Sequence, residues 1–302
     1  MRKIEYKLAG GSIYGARTKA FKLPQQVHSR TYIASDKTRV LAISEGLWDI
    51  RKESTYTNIA AMLTADAACS MFDDFGFDWF WKQKEDELKL HLIHPVEKAI
   101  DEFGRYINNP RKYNLDASLL MLAVNRDRYI WLSSSTGHIV NLFGRTPEDY
   151  EMMYAASASL TNPFPVRLEY ADHRISVGKG KISTESLGIA LLSSKVDMID
   201  PLGETPNDYN DEVIADCLDH IIIFDQESES SAIIRSIMRS RFPKVRSDDD
   251  LAMLFFSRLE SERVLKGEDG EELTCEVFDP EVDINGNDMD HDCFMNPVHI
   301  DE

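Results

Sequence analysis

The sequence predicts an α+β fold, with two antiparallel β-sheets packed face to face as a sandwich and helix pairs on the outside. Three observations carry that reading. Residues 3–45 and 117–192 are rich in short apolar runs bounded by turn residues, the pattern of strands. Each block is followed by two longer segments whose apolar residues recur at helical spacing. A last apolar run at 252–257 closes the order strands, helices, strands, helices, strand.

Taken in order, residues 3–9 alternate polar and apolar side chains, a half-buried strand. Residues 10–15 (Gly-Gly-Ser-Ile-Tyr-Gly) read as a turn that starts a second strand, and 22–27 as a loop. Segments 30–33 and 39–44 flank Ser35-Asp36-Lys37-Thr38, a hairpin turn. Residues 57–72 are small and apolar on most faces and suit a buried helix on a sheet. The aromatic-rich 75–81 reads as core in preference to a surface loop or partner contact. Residues 85–106 space Leu88, Leu92, Val96, Ile100 and Phe103 as a helix, with Pro95 expected to break or kink it. Segments 117–124 and 128–133 form a hairpin around Asn125-Arg126-Asp127, and 137–143 gives a third strand. Weaker strands are expected at 154–159 and 166–170, a basic hairpin tip at Gly178-Lys179-Gly180-Lys181, and a buried strand at 187–192. Residues 211–224 and 230–241 read as helices, and both strand blocks as meanders.

Composition narrows the function. The chain has 302 residues, 43% hydrophobic and 10% aromatic, and no apolar run long enough to span a membrane. No signal-peptide core opens it, and its four scattered cysteines form no C-x-x-C, so a reduced, cytoplasmic protein is expected. The net charge of −18 argues against direct binding to nucleic acid. Residues 263–302 carry thirteen acidic against two basic residues, so the expected organisation is a domain over 1–262 and an acidic tail, extended or disordered, over 263–302.

One stretch organises the chain. Val40-Leu41-Ala42-Ile43 is a buried strand that stops at Ser44-Glu45-Gly46. A strand fixes a carboxylate at its end and the glycine admits close backbone, a usual place to hold a cation or phosphate. Around it lie Gly11-Ser12-Ile13-Tyr14-Gly15 with Leu23-Pro24-Gln25-Gln26-Val27, then Leu115-Asp116-Ala117-Ser118 with the strand to Ser133-Ser134-Ser135-Thr136-Gly137. Gly188-Ile189-Ala190-Leu191-Leu192-Ser193-Ser194-Lys195 and Ser247-Asp248-Asp249-Asp250 follow. In this order the strings resemble the metal-dependent protein phosphatases of type 2C, compact bacterial branch, over residues 10 to about 257.

That resemblance implies an α-β-β-α sandwich with two Mg²⁺ or Mn²⁺ ions held by acids at strand ends, activating water against a phosphoserine or phosphothreonine. The positions depart from the family pattern. The loop Asp stands as Val27, and the bridging Asp as Glu45 with Gly46 kept. The Gly-Asp strand end stands as Ser134-Ser135, and the Thr-Asp-Gly end as Ser194-Lys195. The closing acids Asp248, Asp249 and Asp250 remain, and Arg17 is a candidate for the phosphate-facing cation. Two divalent ions need several anionic ligands, so the expectation is no cofactor, or at most one Mg²⁺ or Mn²⁺ on Glu45 and Asp249.

Other constellations are weaker. Asp283–Asp290 matches a calcium loop only at its first, third and fifth places. Cys275, His291, Cys293 and His299 fit no familiar zinc spacing, and His91 with His94 lacks a third ligand. The leading expectation is a phosphatase-like protein without catalysis that acts by binding a protein partner as scaffold, decoy or regulator. The alternatives are an active serine/threonine phosphatase with a remodelled site, and an acidic inhibitor acting through the tail as a polyanion mimic.

Overall fold

The computed structural model describes residues 4–20, 24–47, 56–107, 113–144, 149–155, 163–172, 174–194, 196, 206–223, 227–241, 250–260, 265–266 and 272–273. In chain order the elements are β1 (Ile4–Ile13), α1 (Ala16–Ala20), β2 (Val27–Ile33), β3 (Arg39–Gly46), α2 (Thr57–Phe75), α3 (Phe77–Lys82) and α4 (Glu85–Tyr106). There follow β4 (Ala117–Asn125), β5 (Arg128–Ser133), β6 (His138–Leu142), β7 (Tyr150–Tyr154), β8 (Ser176–Lys181) and β9 (Gly188–Leu192). The last are α5 (Pro206–Ile223), α6 (Glu227–Arg241), β10 (Leu251–Glu260) and the short β11 (Leu265–Lys266) and β12 (Glu272–Leu273).

Two five-stranded antiparallel sheets form, in the orders β1-β10-β9-β6-β7 and β2-β3-β4-β5-β8. Strand alternation divides their side chains among three cores. Val40, Ala42, Leu119, Met121 and Ala123 face α2, α3 and α4. Ala9, Ala190, Leu192, Met253 and Phe255 face α5 and α6. Leu8, Val27, Leu41, Ile43, Leu120, Leu122, Ile189, Leu191, Leu254 and Phe256 meet between the sheets. The result is the four-layer α-β-β-α sandwich that the pattern of elements implied.

The aromatic stretch is core in part: Phe77 and Phe80 are buried and Trp79 and Trp81 pack partly buried against them, while Phe75 is exposed. Phe72, Phe77 and Phe80 are fully buried beneath α3, each contributing roughly 1.5–3 kcal/mol by burial. Asp36, in the first hairpin turn, accepts hydrogen bonds from the Phe77 N–H (2.8 Å) and the Thr38 N–H (2.9 Å), so it caps α3 from another element. Burial pushes the Asp36 carboxyl up, and these hydrogen bonds outweigh it, holding it below the usual aspartate value.

Several local expectations are corrected. Gly10-Gly11 makes no turn, and β1 runs through it to Ile13. These glycines serve close approach: a Cβ on Gly10, at φ +130°, would lie 2.2 Å from the Met253 carbonyl of β10. Helix α4 runs through Pro95 without a break, its face Leu88, Leu92, Val96 and Ile100 buried on both sides of the proline. Residues 178–181 are no hairpin tip but part of edge strand β8, paired with β5. Gly178 and Gly180 sit under the rings of Trp131 and Tyr129, which cover the bare backbone. Leu168–Tyr170 is a 3₁₀ turn in place of the expected strand, because Tyr170 and Ala171 N–H groups bond back to Arg167 and Leu168 carbonyls. The strand expected at 154–159 lies earlier, as β7, and residues 156–159 fall outside the described residues. The strand blocks are not simple meanders, since β1 pairs with β10 and β6 with β9. Within the expected tail, β11 pairs with β12; the possible calcium loop and the Cys/His scatter lie outside the described residues.

Candidate functional site at the strand ends

On β3 the residues facing the other sheet are Leu41 and Ile43, and the next in that series is Glu45. The register places Val27 of β2 opposite it on one side and Ser118 of β4 on the other. All three are buried, with Glu45 at 8% exposure. Gly46 is required by packing: a Cβ there would lie 2.6 Å from the Thr57 carbonyl at the start of α2. The Gly46 N–H meanwhile donates to the Gln26 carbonyl at 2.8 Å, tying the loop to the strand end.

The carboxylate of Glu45 is met from the opposite sheet. Just past β9, the Ser194 N–H donates to Glu45 Oε1 at 2.9 Å and the Ser194 hydroxyl donates to Oε2 at 2.5 Å. Charge-assisted bonds of this kind are about twice as strong as neutral ones. They link the two sheets at a point where an unpartnered carboxylate is costly. Ser193 fixes the segment, its N–H bonding the Ala252 carbonyl and its Oγ accepting from the Ala252 N–H, both at 3.0 Å.

A second buried acid stands nearby in the fold. Asp250 precedes β10 in the inward series of Ala252 and Leu254, and is 2% exposed. It accepts from the Gly15 N–H at 2.8 Å and the Gln26 N–H at 2.6 Å, so one carboxylate holds the β1–α1 junction and the loop before β2. Asp248, Asp249 and Lys195 lie outside the described residues.

Ser135 belongs to a different local structure. Its N–H donates to Ser133 Oγ (3.2 Å), its hydroxyl accepts from the Gly137 N–H (3.0 Å), and its carbonyl accepts from the Tyr154 hydroxyl (2.9 Å). Burial pushes the Tyr154 phenol up, which keeps it a donor. The Ser134 hydroxyl accepts from the Leu119 N–H at 3.0 Å. These serines close the β5–β6 connection with their own side chains.

The structure therefore brings Val27, Glu45, Gly46 and Ser194 together, and gives Ser135 a structural turn. Ser118 was not singled out as a site residue from the sequence, and Asp250 was named only as one of the closing acids, with Asp249 preferred as the ligand. Ser118 was legible only through the β3–β4 register, and Asp250 through its period-two relation to Ala252 and Leu254. The Ser118 hydroxyl is fully buried and, among the described residues, takes no hydrogen-bond partner.

A pair of divalent cations asks for many oxygen ligands, most of them anionic. Among the described residues these strand ends offer two carboxylates, with all four oxygens accepting hydrogen bonds from protein donors. No group of three or more His, Cys, Asp and Glu comes together among them. By themselves, these two described carboxylates do not make a two-metal centre.

Two antiparallel five-stranded sheets between helix layers, with polar residues gathered at the strand ends, define the fold of type 2C-like protein phosphatases. Solved structures carry the same arrangement. A bacterial serine phosphatase superposes with a TM-score of 0.55 at 10% identity, covering 87% of this chain and 100% of its own. The serine/threonine phosphatase of S. agalactiae gives 0.55 at 12%, covering 84% and 99%. The catalytic domain of the serine/threonine phosphatase PstP, solved with two manganese ions, gives 0.52 at 11%, covering 85% and 100%. No family model and no curated protein matches the sequence, so the likeness is one of fold.

Proposed function

We propose that this chain is a phosphatase-fold protein that does not hydrolyse phosphoesters and acts by binding a protein partner, as scaffold, decoy or regulator. The carrying observation is the pair of hydrogen bonds from Ser194 to Glu45. A backbone N–H and a hydroxyl already take one acceptor site on each oxygen of that carboxylate. Asp250 supports the same reading, because its oxygens are engaged by two backbone N–H groups.

We place the protein in the cytoplasm, away from nucleic acid and membrane. The buried free thiols of Cys69 and Cys217 support a reducing compartment, and the net charge of −18 disfavours a polyanionic partner. Among the described residues no helix is long and apolar enough to cross a membrane.

One observation favours a second reading, a remodelled phosphatase with a single Mg²⁺ or Mn²⁺. It is the buried Ser118 hydroxyl directly opposite Glu45, unpartnered among the described residues. A phosphopeptide hydrolysis assay with Mn²⁺ separates the two. The expected result is no turnover by the full chain; turnover that Glu45→Ala abolishes would overturn the proposal in favour of the remodelled enzyme.

A further inference from the structure

On the flank of the sandwich, the edge strands β1 and β2 and the helix α6 enclose a cleft of about 320 Å³, within the range of small-ligand sites. Each element contributes a pair at its own period. Gly10 and Ser12 alternate along β1, Ser29 and Thr31 along β2, and Ser231 and Arg235 lie one turn apart on α6. Ser29 and Thr31 continue the inward series of Val27, which packs in the apolar core between the sheets. Hydroxyls take the place of apolar side chains where the sandwich opens.

Part of this chemistry caps a sheet edge. The Gly10 N–H donates to Ser231 Oγ at 3.1 Å, and Arg235 Nη1 donates to the Gly10 carbonyl at 3.4 Å. Both serve the outer edge of β1, which would otherwise present bare backbone. A Cβ on Gly11 would come within 3.0 Å of Arg235 Cδ and Nη1, so the missing side chain is what lets the arginine lie against the strand. These contacts occupy one of the five guanidinium N–H donors and leave the Ser231 hydroxyl proton available. Among the described residues, the hydroxyls of Ser12, Ser29 and Thr31 take no protein partner and Arg235 has no carboxylate partner.

We propose that this cleft binds a phosphoryl group. A guanidinium fork and four hydroxyl donors converging from three elements match the oxygens of a tetrahedral dianion. Neither Glu45 nor Ser194 lines the cleft. The site stands independently of whether the strand ends catalyse anything.

The test is calorimetric titration of the full chain with inorganic phosphate and with a phosphoserine peptide, each beside its unphosphorylated or chloride control. Saturable binding to the wild type is expected, with Arg235→Gln weakening it about tenfold or more. The double variant Ser29→Ala/Thr31→Ala should weaken it less while leaving the denaturation midpoint unchanged. It decides the matter if Arg235→Gln fails to fold. Tighter binding of the peptide than of phosphate identifies a phosphorylated side chain as the source, and equal affinity identifies a small free phosphate. Absence of phosphate and peptide binding in the wild type, or wild-type affinity in the foldable variants, overturns the proposal.

Discussion

At the ends of β3 and β10, two buried carboxylates meet protein donors on every oxygen. On the flank between β1, β2 and α6, a guanidinium and several hydroxyls line a cleft with most of their donors unpaired. The two regions share strand β2: Val27 opposes Glu45, while Ser29 and Thr31 line the cleft two and four residues further on. Acceptors are engaged by protein donors at the first, and among the described residues most donors are left open at the second. Polar groups satisfied inside the fold contribute to stability, whereas those presented to solvent are available for a ligand. Substitutions at the first region should therefore register as stability, and those at the second as binding.

The harshest way to break that division is to restore an acid at the first region. Ser194→Asp removes both the hydroxyl donor and the neutrality beside Glu45, and sets two buried carboxylates together. A loss of about 3–5 kcal/mol, read from urea unfolding in chelator, is expected for an uncompensated buried charge. Mn²⁺ should recover part of it by supplying the missing cation. Unfolding at the wild-type midpoint in chelator would mean that the Ser194 hydroxyl does not hold Glu45.

Next in size is removal of the existing acids. Asp250→Ala leaves the N–H groups of Gly15 and Gln26 without their acceptor and should cost about 2–4 kcal/mol. Glu45→Ala leaves the Ser194 N–H and hydroxyl unmatched, for about 1–3 kcal/mol. The same denaturation series checks both. If either acid can be removed at no cost, its carboxylate is not a structural tie, and a ligand role returns for it.

Much of the frame was legible because alternation is a local signal. Val40, Ala42 and Ser44 against Leu41, Ile43 and Glu45 can be sorted by period two without knowing what either set faces. Long-range closure was not legible. The residues that satisfy Glu45 and that pair Gly10 with Ser231 lie 149 and 221 positions away in the chain. Glycine misled twice, since Gly10-Gly11 and Gly178/Gly180 look like turns but serve close approach of β10, α6 and aromatic rings. The cleft left no motif in the sequence, because each of its elements supplies at most three residues, spaced as any strand or helix would space them. The closing acids were read as a cluster centred on Asp249. Strand parity, extended back from Ala252, selects Asp250 as the inward member.

The smallest effect sits on β2 between the two regions. By alternation His28 turns from the inner face on which Val27 lies to the side of α2, where Arg30 pairs with Asp66. Burial pushes the His28 imidazole down from 6.5, against the pull of Asp66 and with the push of Arg30. The fold therefore favours the neutral ring, and between the folded and unfolded values the unfolded chain binds more protons. This contribution to stability is fully present above pH 6.5 and is lost as pH falls through the lower folded value. Denaturation midpoints measured from pH 7.5 downward should fall with pH, and His28→Gln should flatten that decline while leaving phosphate affinity at the cleft intact. A decline that persists unchanged in His28→Gln would mean that His28 does not carry it.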